Sequence, residues 1–287
     1  MRRMNRRNGG FWLAFPMLAG FSLFYFVPFL ITLWYSLSFG IGRREFVGLA
    51  NYQDLLRNEM FLLAVKNNCR FLAVSVPVIL VGSLALAVAL QQLAKGVGFL
   101  RLAYFYPMVL PIASTVMGMQ MLWGDRGLVN MMSVWMGLGA EEWFRSQTAF
   151  WILCVLYWWK YTGYHVLIFY ARLQMIPKNY YENANLFGAG RWACFRYITL
   201  PLILPVFAFN LLLAVMNSFK CYREAFLIGG DHPDESIYLV QHFMNNNFKN
   251  LNYQKISSAA VLMTGAVLLV CGTLWCLYRV KRGRSDA

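Results

Sequence analysis

The chain has 287 residues, of which 59% are hydrophobic, 17% aromatic and only 13% charged, against about 25% charged in a soluble domain. That balance excludes an ordinary water-soluble globule and a disordered chain. Its 26 Lys and Arg against 12 Asp and Glu, a formal net charge of +14, would suit a nucleic-acid partner, but they sit in short clusters between apolar runs of the roughly 20 residues that cross a bilayer.

In chain order the apolar stretches run approximately over 11–38, 71–92, 102–123, 148–172, 201–220 and 257–278. Each is expected to be a helix, because backbone polar groups in hydrocarbon must pair within their own segment. The fold class that follows is an all-α membrane protein with six transmembrane helices in a single domain over 1–287. Arg2, Arg3, Arg6 and Arg7 precede the first stretch as they would in a signal peptide. Its length far exceeds a leader core of about 7 to 15 residues, so it is expected to persist as a spanning anchor. Pro16, Pro28, Pro77, Pro107, Pro111 and Pro205 fall in or near the spans and predict kinks whose freed carbonyls neighbouring helices can satisfy. Six cysteines, Cys69, Cys154, Cys194, Cys221, Cys271 and Cys276, lie scattered with no CxxC or Cys/His cluster, so neither a disulfide framework nor a metal site is expected.

Basic residues set the orientation. With the N-terminus in the cytoplasm, the loops on that side are about twice as dense in Lys and Arg as those outside, which places both termini inside. Ten of the twelve acids then fall in external segments, and only Glu182 and Asp286 stay with the basic side. The positive surplus faces anionic lipid, and no nucleic-acid partner is expected.

Between the fourth and fifth spans, 177–201, the connection is longer than the roughly 2 to 8 residues that two packed helices need. Pro177 suits a helix start, Tyr180, Ala184 and Phe187 recur on one face, and Gly188 suits a left-handed stop. A second short helix is expected over about 191–198. A stubby helix with one apolar, small-residue face is built to dock in a partner's groove; the blander alternative is an amphipathic turn lying on the membrane surface. Glu182 could be solvated there or paired with Lys178 four residues back.

These residues resemble the EAA loop of the binding-protein-dependent ABC importers, with Glu182, Ala184, Gly188, Ala189, Phe195, Ile198, Leu200, Pro201 and Pro205 matching in order. Asn183 stands at the usual second alanine, and Phe187 where the carbohydrate branch commonly has Asp. The likeness to that maltose-permease-like branch extends along the chain. It includes Phe46 to Tyr52, Asn67-Asn68, Arg101 with Tyr106-Pro107 and Pro111, Gly127 to Asn130, Tyr170 to Pro177, and Phe226 to Tyr238, where Asp231 and His232 interrupt the common Gly-Gly-Pro. The resemblance implies a type I importer permease in a bacterial or archaeal cytoplasmic membrane. It implies as partners a second, related permease subunit, two copies of an ATPase subunit and an extracytoplasmic solute-binding protein, with a carbohydrate as substrate. The helix that seats in the ATPase would then carry Glu182, Ala184, Phe187, Gly188, Ala189 and Phe195.

No GxxxxGK[ST] phosphate loop occurs, so no cofactor is expected in this chain and ATP would be bound by the partner. His165, His232 and His242 are isolated, without metal-ligand or triad spacing, and no enzyme activity is expected. Polar residues inside spans are the candidate substrate pathway, since an ionisable group in hydrocarbon costs about 2.5 to 3.5 kcal/mol. Lys160 lies mid-span with Tyr157, Tyr161 and Tyr164 within a turn, and His165 lies on the adjacent strip. Asn210 and Asn217 share a face of the fifth span, and Gln120 adds an amide in the third. Aromatic rings with amides and an ammonium suit a sugar. Helix-to-helix hydrogen bonding is the alternative for the amides, and ion pairing for Lys160. A secondary carrier independent of ATP would show two related halves and charges in several spans. A membrane-embedded enzyme would cluster its acids or histidines. Neither pattern is evident in this sequence.

Overall fold

The computed structural model describes residues 6–40, 45–92 and 97–285. Arg2, Arg3, Lys95 and Asp286, which enter the charge asymmetry, lie outside the described residues. Helix α1 (Arg6–Phe21) passes through a π turn (Ser22–Phe26) into α2 (Val27–Ser36). Pro28 causes the wide turn: it has no N–H for the regular ladder, and the Val27 N–H reaches back five residues to the Ser22 carbonyl. A short antiparallel hairpin, β1 (Ser38–Phe39) with β2 (Glu45–Phe46), leads into α3 (Ala50–Leu56). Asn51 fastens this corner by donating to the Ser36 and Ser38 carbonyls, both at 3.0 Å.

The remaining helices are α4 (Glu59–Gln92), α5 (Val97–Val109), α6 (Ile112–Trp123), α7 (Leu128–Trp135) and α8 (Thr148–Gln174). They are followed by α9 (Lys178–Leu186), α10 (Arg191–Cys194), a second π turn (Phe195–Thr199), α11 (Leu200–Lys220), α12 (Tyr222–Gly229), α13 (Val240–Lys249) and α14 (Tyr253–Ser285). Among the described residues four stretches are each long and apolar enough to cross a membrane: Leu13–Ser36, Glu59–Gln91, Arg191–Gly229 and Tyr253–Thr273. A fifth candidate, Ala103–Val109 with Ile112–Trp135, is bent by 108°. The expected third span, 102–123, is therefore two helices rather than one. Pro111, with φ −56° and ψ 143°, breaks the ladder and starts α6 afresh.

The chain divides into two compact units, one of residues up to Leu62 with Phe243–Leu269, the other of Leu63–His242 with the chain from Val270. In the first, the apolar face of α1 and α2 is open, as it must be in a segment that meets lipid or another subunit. In the second, α8 is the most enclosed element. Its 27 residues give a length of about 40 Å, and Phe150, Leu153, Leu156, Tyr157, Phe169 and Leu173 are all fully buried along it. Helix α5 packs closely on it at Gly163, where a Cβ would fall 1.8 Å from the Tyr104 carbonyl oxygen. Helix α4 is tied on by Trp158 Nε1, which donates to the Ser75 carbonyl at 3.2 Å, and α11 by the Tyr157 hydroxyl, which donates to the Ala214 carbonyl at 2.8 Å. Small residues and cross-helix hydrogen bonds are how helices associate where no water drives them together.

Candidate functional site

At one end of α8 the chain turns through Ile176 and Pro177 into α9. Phe187 ends that helix, Gly188 takes φ +79°, and the Ala189 N–H returns to the Ala184 carbonyl at 3.0 Å while the Gly188 N–H reaches Asn185 at 3.0 Å. This is a Schellman stop, in which only a residue without a Cβ sits unstrained at the left-handed position. Glu182 is exposed, Ala184 and Ala189 are half-buried, and Leu186 and Phe187 stand 84% and 92% exposed. Beyond the corner, Phe195 is half-buried against the core and stacks on Trp192 at 5.7 Å. The Tyr181 hydroxyl and Thr199 Oγ1, 2.9 Å apart, tie α9 to the base of α11, and Arg172 Nε donates to the Leu202 carbonyl at 3.1 Å. An apolar tip is thus held rigidly on a polar root.

Inside the second unit the polar residues of α8 and α11 find one another. Lys160 Nζ lies 2.5 Å from Glu224 Oε1, with both side chains sealed from solvent, and the Tyr161 ring packs 5.6 Å from the same ammonium. Asn210 Nδ2 donates to the His165 carbonyl at 3.2 Å, which fixes the amide so that its Oδ1 accepts from His165 Nδ1 at 2.7 Å. Asn217 Oδ1 accepts from Lys220 Nζ at 3.1 Å. Tyr164 is half-buried, its ring edge-on to His165 at 5.5 Å.

The other end of α8 is built differently. Asn130, on α7 and 2% exposed, donates to the carbonyls of Gly124, Asp125 and Glu141 and accepts from the Glu141 N–H and Trp143 Nε1. The Trp143 ring meets Trp123 edge-on at 5.5 Å. Opposite, Asn67 donates to the carbonyls of Glu235 and Tyr238, and Asn68 Oδ1 accepts the Val240 N–H at 3.0 Å. Gln120 is exposed here, on the wall of a cavity of about 600 Å³ that also meets Asp125, Phe144, Arg145 and Asp234. His242 is buried among Tyr222, Phe226 and Tyr238. Burial pushes its imidazole down to about 4, with Asp231 acting upward and His232 downward. Its Nδ1 accepts the Leu239 N–H at 3.1 Å, as a neutral ring should.

Residues 67–279 match the family model described as "Binding-protein-dependent transport system inner membrane component". The chain belongs to that family. It is a multi-pass membrane permease component of an ABC importer and not an enzyme. This permease is 28% identical to the trehalose/maltose transport system permease protein MalF of Thermococcus litoralis, covering 96% of this chain and 95% of that one. It is 25% identical to the lactose transport system permease protein LacF of Rhizobium radiobacter over 93% of each chain. To the sn-glycerol-3-phosphate transport system permease protein UgpA of Yersinia pestis it is 29% identical, over 91% and 89%. Its fold is shared with the crystal structure of a bacterial ABC transporter involved in the import of the acidic polysaccharide alginate, at TM-score 0.81 and 20% identity over 97% of this chain and 99% of that one. A bacterial alginate ABC transporter in complex with an alginate pentasaccharide-bound periplasmic protein matches at TM-score 0.79 and 20% identity over 95% of this chain.

One residue of the permease's interior escapes a reading by charge count. Glu224 falls among the acids expected in external segments, yet it is 1% exposed, on α12 and against Lys160. The available signal was its flank: Ala225, Phe226, Leu227 and Ile228 follow it, and a carboxylate bordered by such a run needs a buried cation.

Proposed function

We propose that this permease carries a carbohydrate, forms one half of the translocation pathway beside a related second permease, and seats residues 177–201 in one of two separate ATPase subunits. The loop carries this assignment. A helix ended by a Schellman corner, with Leu186 and Phe187 projecting almost wholly into solvent, has an apolar tip that its own chain does not cover, and burying it in a partner's groove is favourable. Glu182 lies on the same helix, exposed and able to meet a basic residue of the partner. In this reading the loop and both termini lie in the cytoplasm, consistent with the basic residues of the loops, and ATP is bound by the partner rather than by this chain.

The carbohydrate assignment draws on relatives named for trehalose/maltose and lactose that match along more than nine-tenths of this chain. The pathway residues divide by their surroundings. Gln120 borders the cavity at the Asp125 end and Tyr164 is half-buried, whereas Lys160 and Asn210 join α8 to α12 and α11, and Tyr161 and Asn217 are buried beside them. Reconstitution in liposomes with the two ATPase copies, the second permease and the solute-binding protein tests the whole. Saccharide uptake is expected to require both ATP and the binding protein; gradient-driven uptake by the chain alone would replace this reading with a secondary carrier.

A further inference from the structure

The cavity at the Asp125 end is a built site. Its lining comes from Gln120 in the last turn of α6, from Gly124, Asp125, Phe144 and Arg145 of the segment 124–145, and from the end of α12 with the turn after it. Both segments are rigid. Asn130 uses its whole amide to fix the backbone of Gly124, Asp125 and Glu141. Across the cavity Gly230 takes φ +69°, and the chain folds back so tightly that a Cβ on Gly229 would fall 2.4 Å from Pro233. Asp234 spends one carboxylate oxygen on the Ser236 N–H at 2.9 Å, which leaves the other for a ligand. Among the described residues the Arg145 guanidinium pairs with Glu142 alone, loosely, at 3.7 Å.

At about 600 Å³ the space falls within the roughly 300–1,000 Å³ of small-molecule sites. Its lining selects among ligands. Two carboxylates, from Asp125 and Asp234, accept hydrogen bonds, the Gln120 amide donates and accepts, the Arg145 guanidinium donates, and the Phe144 ring offers a flat apolar face. A ligand dense in hydroxyls, each both donor and acceptor, with C–H faces between them, uses every one of these groups. An anion would meet two carboxylates against one guanidinium and the imidazole of His232, a side-chain type that ordinarily carries no full charge at neutral pH.

We propose that this cavity binds a neutral saccharide of one or two rings, as a waiting site that the sugar occupies before it enters the path between the helices. The proposal rests on the carbohydrate reading above and gives that reading a place on the side where the sugar arrives, since α8 separates the cavity from the loop at 177–201 by its full length.

The test uses the complete importer in lipid nanodiscs, without binding protein or ATP, and probes it by saturation-transfer NMR with maltose, trehalose and lactose in turn. Saturable binding of at least one is expected. Gln120→Ala and Asp125→Asn should each weaken it about tenfold, as losing one hydrogen bond to a charged or buried partner does. Glu141→Gln, which removes one negative charge from the same segment without touching the cavity, should leave it unchanged. Unaltered binding in both cavity variants, equal weakening by Glu141→Gln, or preference for a sugar phosphate or an amine over the neutral sugars would overturn the site. Because ATP-driven uptake of the same sugars is measured in parallel on the same importer sealed in liposomes with ATP and the binding protein, the outcomes separate. An importer that moves them while the cavity variants bind normally defeats this inference alone, and one that moves none of them defeats the carbohydrate reading itself.

Discussion

The loop at 177–201 and the interior around α8 use the same residue types in opposite ways. On α9 the apolar side chains Leu186 and Phe187 face outward and the polar Tyr181 hydroxyl is tied down against Thr199. Inside the bundle the polar side chains of Lys160, His165 and Asn210 are consumed by partners within the chain, and the aromatic rings fill the gaps around them. The first region is unfinished until something covers it, whereas the second pairs most of its polar atoms within the chain and leaves His165 Nε2 and Glu224 Oε2 as its buried remainder. Exposed apolar groups therefore point to assembly, and buried polar groups here point first to the protein's own construction.

Substitutions can break this contrast, and the interior should give the larger effects on stability. Glu224→Ala strands the Lys160 ammonium, which is expected to cost about 3–5 kcal/mol and to be read as a loss of folded protein in membranes. Lys160→Met combined with Glu224→Leu should restore most of the yield; failure to do so would mean that the pair does more than neutralise itself. Asn210→Ala leaves the buried His165 Nδ1–H without its acceptor, for about 1–3 kcal/mol, measurable as a lower thermal midpoint in detergent.

On the loop the balance should invert. Gly188→Val forces a β-branched residue into the left-handed region for about 1–2 kcal/mol. The protein should still assemble, but ATP-driven uptake should fall by at least about tenfold as the tip is re-aimed. Normal uptake by that variant would show that the corner does not set the docking geometry. Between the two regions in size lies a titration. His242 is held near 4 in the fold, against 6.5 ordinarily, so as pH falls the unfolded chain takes up the proton first. Stability should decline from about pH 6.5 to about pH 4 and then level off, and His242→Gln should flatten the slope of thermal midpoint against pH. The smallest effect on stability, within about 0.5 kcal/mol, is expected for Phe187→Ser, whose side chain touches little, yet it should reduce co-purification of the ATPase subunit.

Much of this arrangement could be read from local sequence, because local features follow from local chemistry. Gly188 after a helical period predicts a left-handed stop and takes φ +79°. Pro107 and Pro111 predict a kink, although the sequence does not show that α5 and α6 separate at a 108° bend, because the angle depends on what each helix packs against. The partner of Lys160 lies 64 residues away, at a spacing no periodicity reports. The Asn130 staple is equally hidden, since it acts on backbone groups that any residue could supply.

The π turn at 195–199 has a further consequence. Pro201 has no N–H to give, and the Leu200 N–H instead reaches back to the Phe195 carbonyl, which makes the turn one residue wider than its neighbours. An α-helix advances about 100° per residue. The wider turn absorbs its extra residue within a single revolution, so keeping that residue while forcing regular α turns would swing everything before it by about that angle about the axis of α11, whereas deleting it would leave the bearing nearly unchanged. The compass bearing of the tip at Phe187 is thus set by the width of one turn, like the position of a hand on a dial, and not by any contact the tip makes itself.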